Sequence, residues 1–242
     1  MKQNHIFVCG GGHSGTTLLL AILDSHSEIA AVPVETGVFH RLRDDAELLS
    51  EVEQWRARFA IPDVRYVAEK TPVHVRYLAR IFTLFPGAKV IFMTRDGRDA
   101  SISSAKRLGD YSTAAKQWVT FNRAYLDFPE RHRVLAVRYE DLVGNTRAAA
   151  ERICAYLGLA FDAAMLSHHE RRRTWWDSDV RPADNAAPLV GDNHKRNRNW
   201  QINQPLFNAT GRWRNDTTPE ELAIFQGIAA KTMRDLGYSL EN

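Results

Sequence analysis

The sequence predicts an α/β domain in three layers, with a central parallel sheet flanked by helices. Two observations lead to this fold class. Short apolar runs alternate with longer amphipathic stretches along most of the 242 residues, as expected of strands joined by crossover helices. A glycine-rich turn, Gly10-Gly11-Gly12, directly follows the first apolar run and predicts that a buried strand ends there.

Five apolar runs predict the strands, in the order 6–9, 29–32, 64–68, 89–94 and 134–137. Helices are predicted where apolar residues recur in steps of three and four, over about 16–23, 42–59, 75–85, 98–107, 113–127 and 146–157. The last helix opens at Thr218-Pro219-Glu220-Glu221, which is a capping box with proline at the first helical position, and Gly237 ends it.

The composition excludes several classes of protein. Charged residues make up 25% of the chain and hydrophobic residues 44%, which is typical of globular domains and not of disordered chains. Two cysteines are too few for a disulfide scaffold. The N-terminal apolar run is too short for a signal segment, and no run approaches the roughly 18 apolar residues of a membrane span. We therefore expect a cytoplasmic protein, and a net charge of +3 does not indicate nucleic acid as a partner.

The first predicted loop has the features of a phosphate site. Gly10-Gly11-Gly12-His13-Ser14-Gly15-Thr16-Thr17 lies between a strand and a helix. Glycines let backbone N–H groups approach an anion, and the helix N-terminus adds positive charge. The spacing predicts a P-loop-type domain, but Thr16 stands where nucleoside triphosphatases have the lysine that contacts the β- and γ-phosphates. This difference argues against a kinase or ATPase.

A second anion site is predicted at the end of the strand 89–94. Arg95 directly follows that strand, and Ser103 lies eight residues later, about two turns into the next helix. A guanidinium and a hydroxyl that converge on one point suit a phosphate. Because open parallel sheets bind ligands at the carboxyl ends of their strands, we expect both anion sites on the same edge.

This pair of motifs resembles the sulfotransferases that use 3′-phosphoadenosine 5′-phosphosulfate (PAPS), and looks closest to the branch that includes tyrosylprotein sulfotransferases and bacterial relatives. The resemblance covers most of the chain. It continues in the family's order through Glu35-Thr36, Glu69-Lys70-Thr71-Pro72, Tyr139-Glu140-Asp141-Leu142 and Gly211-Arg212-Trp213. It implies PAPS as the donor, 3′-phosphoadenosine 5′-phosphate (PAP) as the product, and no requirement for a metal.

The resemblance also implies roles for the donor-binding residues. The loop, with Gly12, His13, Ser14, Gly15, Thr16 and Thr17, holds the 5′-phosphosulfate, while Arg95 and Ser103 hold the 3′-phosphate. Tyr139 lies near the nucleotide or fills the core. Arg212 closes on the phosphates from a C-terminal loop, and Trp213 stacks on adenine or packs. The chain has His13 where the family often has arginine or lysine.

The resemblance also implies which residues take part in the transfer itself. Glu35 occupies the general-base position, and His13 and His40 are its rivals because a neutral imidazole is also a suitable base. Lys70 is the candidate for stabilising charge on the bridging oxygen and the sulfate. A carboxylate base and a fixed cation are what this chemistry needs, since the acceptor loses a proton while the leaving phosphate gains charge.

We expect one domain over residues 1–242, with residues 168–212 as a loop region that covers the substrate and donor. This region is polar and basic, and its Trp175 and Trp176 suit a sugar or aromatic ring; a solvated surface loop is the other interpretation. The predicted reaction is sulfuryl transfer to an acceptor hydroxyl, on a carbohydrate or small molecule by preference, with peptide tyrosine as another candidate. The alternatives are a nucleotide-kinase-like phosphoryl transferase and a non-catalytic PAP-binding module.

Overall fold

The computed structural model describes residues 4–59, 63–173, 175 and 199–240. Its strands form one parallel sheet in the order β2-β3-β1-β4-β5. They are β1 (Asn4–Gly10), β2 (Ile29–Ala31), β3 (Tyr66–Lys70), β4 (Lys89–Thr94) and β5 (Val134–Arg138). Helices cover both faces of the sheet, so the predicted three-layer α/β fold is confirmed.

The helices follow the strands in alternation along the chain. They are α1 (Thr16–Leu23), α2 (Val38–Arg41), α3 (Asp45–Phe59), α4 (Leu78–Leu84), α5 (Gly97–Leu108), α6 (Tyr111–Leu126), α7 (Tyr139–Gly144), α8 (Thr146–Leu157), α9 (residues 199–202), α10 (Trp213–Asp216) and α11 (Pro219–Asp235). The predicted capping box of α11 is present, since Thr218 and Glu221 exchange hydrogen bonds with each other's backbone. Across the described residues, no helix is both long and apolar enough to cross a membrane.

Side chains of the central strand alternate between two apolar clusters. Ile6 and Val8 belong to the cluster that packs against α1 and α8, whereas Phe7 and Cys9 belong to the cluster that packs against α3 and α4. All four are at most 1% exposed. Because successive residues of a strand point to opposite faces, a strand covered on both sides must be apolar throughout. This is why β1 reads as a continuous apolar run.

The predicted helix over 42–59 is wrong at its N-terminal end. The helical residues before it form α2, the chain is extended at Leu42, and α3 begins at Asp45. The guanidinium of Arg80 donates hydrogen bonds to the carbonyl groups of Phe39, Leu42 and Arg43. These bonds satisfy backbone acceptors that a continuous helix would have satisfied internally, so a contact from α4 stabilises the break.

The polar stretch after residue 162 is not simply a solvated loop. Ala163–Glu170 form 3₁₀ turns in which Met165 and His168 are fully buried. The Arg173 guanidinium is also buried, and it donates a 2.7 Å hydrogen bond to the carboxylate of Asp24 at the end of α1. Trp175 is half-buried against the cluster over α1. Trp176 and most of the predicted covering region lie outside the described residues.

Candidate active site

One large cavity lies at the carboxyl edge of the sheet. It encloses about 600 Å³, which is within the usual range for a small-molecule site. Residues from the ends of strands β1, β4 and β5 and from the segment after β2 line it. The predicted site residues along its walls are Gly12, His13, Gly15, Thr16, Thr17, Glu35, Arg95, Ser103, Tyr139 and Arg212. Three others, Ser14, Lys70 and Trp213, are not among the lining residues.

The glycine-rich loop joins β1 to α1 in a conformation that requires its glycines. Gly10 and Gly15 have φ values of 153° and 90°. A Cβ atom on Gly10 would lie 2.2 Å from the carbonyl oxygen of Met93, closer than a real contact allows. Ser14 is buried, and its hydroxyl donates a 2.7 Å hydrogen bond to the Gly11 carbonyl. Ser14 therefore stabilises the turn, while Thr16 and Thr17 face the cavity from the start of α1.

We expect the Gly15→Ala substitution to lower the free energy of unfolding by about 1–2 kcal/mol, because a left-handed conformation costs that much for a residue with a side chain. The new Cβ would also lie 2.7 Å from the ring of Tyr139, which adds a steric clash. Urea unfolding measures the stability. Gly227→Ala is the matched control: its added Cβ, within α11, meets nothing within 4 Å, so this variant should be more stable than the wild type. Equal stability of both variants would contradict the strain argument.

Arg95 brings a cation to the cavity from the end of β4. One of its terminal nitrogens donates to the His13 carbonyl at 3.4 Å, and the other donates to the Ala209 carbonyl. Its guanidinium lies 4.3 Å from the centre of the Tyr139 ring. The glycine-rich loop, β4, β5 and a C-terminal segment therefore meet at this side chain, which lines the cavity.

A carboxylate that the sequence analysis missed holds that C-terminal segment in place. Asp99, in the first turn of α5, is 2% exposed. It accepts hydrogen bonds from the backbone N–H groups of Gly211 and Trp213, at 2.8 Å and 2.9 Å. Arg212, between them, consequently reaches the cavity wall, where it also pairs with Asp216 at 2.8 Å. Nothing in the local sequence around Asp99 signals a partner more than a hundred residues away.

The two aromatic candidates have different surroundings. Tyr139 follows β5, lines the cavity, and donates a 3.4 Å hydrogen bond to the Phe207 carbonyl. Burial raises the pKa of its hydroxyl, although Arg95 opposes this shift. Trp213 is 4% exposed and packs in the apolar cluster of α5, α6 and α11, with the Arg98 guanidinium 3.8 Å from its ring centre. Its side chain therefore packs in the core of this structure and does not line the cavity.

Glu35 and Lys70 form an ion pair beside the same cavity. Lys70 is the last residue of β3, and its ammonium group donates to Oε1 of Glu35. The Lys70 side chain is 1% exposed, whereas that of Glu35 is 34% exposed and lines the cavity. The carboxylate thus connects a buried cation to the open space. His40 and His13 also line this cavity, and burial, with the nearby His74 and Arg41, lowers the pKa of His40.

A second missed carboxylate lies directly behind this pair. Glu69 precedes Lys70 in β3 and is 1% exposed. Its Oε1 accepts hydrogen bonds from Thr36 and Thr71, and its Oε2 lies 3.1 Å from Nδ1 of His74. A carboxylate in a strand that is otherwise buried is a signal for such partners, because a buried charge without them is costly.

Known proteins resemble this chain both in sequence and in fold. Residues 50–163 match the model of the Sulfotransferase family. Protein-tyrosine sulfotransferase 2 of Gallus gallus is 28% identical over 68% of this chain, and the match spans 54% of that relative, about half its length. The sulfotransferase domain of the Synechococcus PCC 7002 olefin synthase has a TM-score of 0.62 and 23% identity, covering 99% of this chain and 96% of that one.

A mouse sulfotransferase in complex with PAP has the same fold, with a TM-score of 0.56 and 17% identity, covering 97% of this chain and 86% of that chain. The fold likeness therefore extends over nearly the whole chain, whereas the family model matches its central part. By the family model, by curated relatives and by fold, the resemblance to the sulfotransferases that the sequence motifs predict is confirmed.

Proposed function

We propose that this chain is a PAPS-dependent sulfotransferase, which moves the sulfuryl group of PAPS to an acceptor hydroxyl. The observation that carries the proposal is the Glu35–Lys70 ion pair beside the cavity that the phosphate loop and Arg95 also line. A base, a buried cation and an anion site are the three elements that sulfuryl transfer requires. The solved complex of a mouse sulfotransferase with PAP supports this choice of donor.

The residues on the donor side fit an anionic nucleotide. Arg95 lines the cavity, and its Nε atom is buried with no hydrogen-bond partner among the described residues. A phosphate oxygen is a suitable acceptor for such a group. We assign the 3′-phosphate to Arg95 and Ser103 and the 5′-phosphosulfate to the loop 12–17. Tyr139 and Arg212 complete this side of the cavity.

In the proposed mechanism, Glu35 removes the proton from the acceptor hydroxyl. The acceptor oxygen then forms a bond to sulfur while the bond from sulfur to the bridging phosphate oxygen breaks. That oxygen keeps the bonding electron pair and leaves as part of PAP, so the phosphate gains negative charge. Lys70 offsets this charge, and a neutral histidine at position 13 would contribute less than a cation would.

Calorimetric titration with PAP, and separately with ATP plus magnesium, tests the donor assignment. We expect PAP to bind and Arg95→Ala to weaken its binding by about 10- to 100-fold, which is the usual effect of removing a hydrogen bond to a charged group. Arg234→Ala, which removes an exposed arginine of α11, is the control and should bind PAP like the wild type. Binding of ATP without any response to PAP would overturn the proposal in favour of a kinase-like phosphoryl transferase.

For the acceptor, we propose the hydroxyl of a carbohydrate or small molecule. The cavity wall outside the donor side includes the amide side chains of Gln117 and Gln201 and the aromatic rings of Phe121 and Trp200, a combination suited to a neutral hydroxylated ring. The curated relatives named as protein-tyrosine sulfotransferases favour peptide tyrosine instead. PAP release measured with neutral sugars and with a tyrosine peptide separates the two, since only the true acceptor class stimulates it.

A further inference from the structure

The buried carboxylate of Glu69 contacts the chain neighbours of both members of the Glu35–Lys70 pair. Its Oε1 accepts from the backbone N–H of Thr36 at 3.1 Å and from the Thr36 hydroxyl at 3.0 Å. The same oxygen accepts from the Thr71 hydroxyl. Thr36 directly follows Glu35, and Lys70 lies between Glu69 and Thr71. One oxygen atom therefore joins the two segments that carry the pair.

The second oxygen of Glu69 lies beside a buried histidine. His74 is fully buried, and its Nδ1 lies 3.1 Å from Oε2. Burial by itself would raise the pKa of Glu69, but the neighbouring His74, together with the hydrogen bonds from Thr71 and Thr36, brings this pKa below its ordinary value. Glu69 is not among the residues that line the cavity, so it acts on other protein groups and not on a substrate.

Glu35 lies in a segment without regular secondary structure, whereas its partner Lys70 ends a strand. The residues from Val32 to Gly37 form neither helix nor strand, and a third of the Glu35 side chain is exposed. Lys70, by contrast, is fully buried at the end of β3. The Gly37 backbone N–H also donates to the Thr71 hydroxyl at 3.1 Å, so Thr71 links both segments as well.

We propose that Glu69 is a positioning residue, which holds Glu35 in contact with Lys70 by binding Thr36 and Thr71. This inference rests on the proposed function of the pair as base and cation. A group held within about half an ångström of its productive geometry by buried hydrogen bonds reacts efficiently, and a displacement of about 1 Å can cost up to 10²-fold in rate. Glu69 thus contributes to turnover without contacting donor or acceptor.

Two substitutions separate geometry from charge. Glu69→Gln replaces the charged acceptor of Thr36 and Thr71 with a weaker, neutral one. Thr36→Val removes only a hydroxyl and leaves the Glu69 carboxylate in place. We expect both to lower kcat about tenfold or more, with the Kd for PAP unchanged within a factor of two. Thr36→Ser, which keeps the hydroxyl, should restore wild-type kcat. Glu47→Gln, at an exposed carboxylate of α3, is the control and should turn over normally.

The pH profile of kcat/KM distinguishes a positioning role of Glu69 from a merely structural one. Loss of contact with Lys70 makes Glu35 harder to ionise, so the acidic limb should move to higher pH in both variants. If Glu35 instead stays in place, removal of the nearby negative charge makes Glu35 easier to ionise. The acidic limb of Glu69→Gln would then move to lower pH. The other titratable or charged groups around this network are Cys9 on β1, His40 and Arg41 on α2, and His74, and all are identical in the two variants.

Titration of the Glu35 carboxyl by ¹³C NMR in the ligand-free protein, assigned with Glu35→Gln, distinguishes failure of this inference from failure of the proposed function. If the wild type transfers no sulfate from PAPS, the proposed function fails, yet a higher Glu35 titration midpoint in Glu69→Gln and Thr36→Val still supports the positioning role. Wild-type kcat and an unchanged midpoint in both variants would overturn it. A shift to lower pH in Glu69→Gln, with Thr36→Val unchanged, would also overturn it.

Discussion

Replacing Glu35 by glutamine should lower kcat by about 10²- to 10⁴-fold, the usual contribution of a general base. Glutamine has the same shape and still accepts a hydrogen bond from Lys70, but it cannot take a proton from the acceptor. The Kd for PAP should stay near the wild-type value, because the donor side of the cavity is unchanged. Single-turnover transfer from PAPS at saturating acceptor measures the chemical step directly.

His40→Gln provides the comparison that assigns the base. Burial and, to a smaller extent, the neighbouring His74 and Arg41 lower the pKa of His40. Its imidazole is therefore neutral at pH 7 and could also accept a proton. If Glu35 is the base, Glu35→Gln should abolish the acidic limb of the kcat profile while His40→Gln preserves it. Near-normal turnover in Glu35→Gln, with a large loss in His40→Gln, would transfer the role to the histidine.

Replacing Lys70 by methionine should lower kcat by about 10²- to 10³-fold, which is typical when one preorganised electrostatic contact to a developing charge is removed. Stability should change much less. Methionine suits the buried environment of this side chain, and the Glu35 that loses its partner is 34% exposed, so water can solvate it. Sulfate transfer and urea unfolding, measured on the same protein, separate the two effects.

An exposed lysine on α5 supplies the control for that experiment. Lys106→Met removes the same charge at the protein surface and should leave kcat within a factor of two of the wild type. If Lys70→Met loses stability and activity in proportion, or keeps full activity, then Lys70 has a structural role and the assignment of a charge-stabilising role is wrong.

The positions of the strands, and of the predicted site residues that line the cavity, were predictable for a physical reason. β4 spans Lys89–Thr94 as predicted, because a strand buried on both faces must be apolar at every position. Arg95, Tyr139 and Glu35 lie just beyond strands that run in parallel, so their strand ends meet at one sheet edge. Local sequence is sufficient for that inference.

The features that were missed depend on contacts between distant segments. Asp99 binds backbone groups at Gly211 and Trp213, and Glu69 binds Thr36; a carboxylate in a helix or strand does not reveal such partners. The break between α2 and α3 likewise depends on Arg80, from another helix. Trp213 packs in the core because Asp99 fixes the backbone beside it, a constraint absent from its local motif.

The central place of β1 in the sheet divides the proposed chemistry into two modules. On one side, β2 and β3 lead to Glu35 and Lys70; on the other, β4 and β5 lead to Arg95, Ser103 and Tyr139. The loop after β1 lies between the two halves. Under the proposed function, the base and the buried cation therefore stand on one half of the sheet and the groups that bind the nucleotide on the other, so substitutions in the first half should alter turnover and substitutions in the second should alter donor affinity.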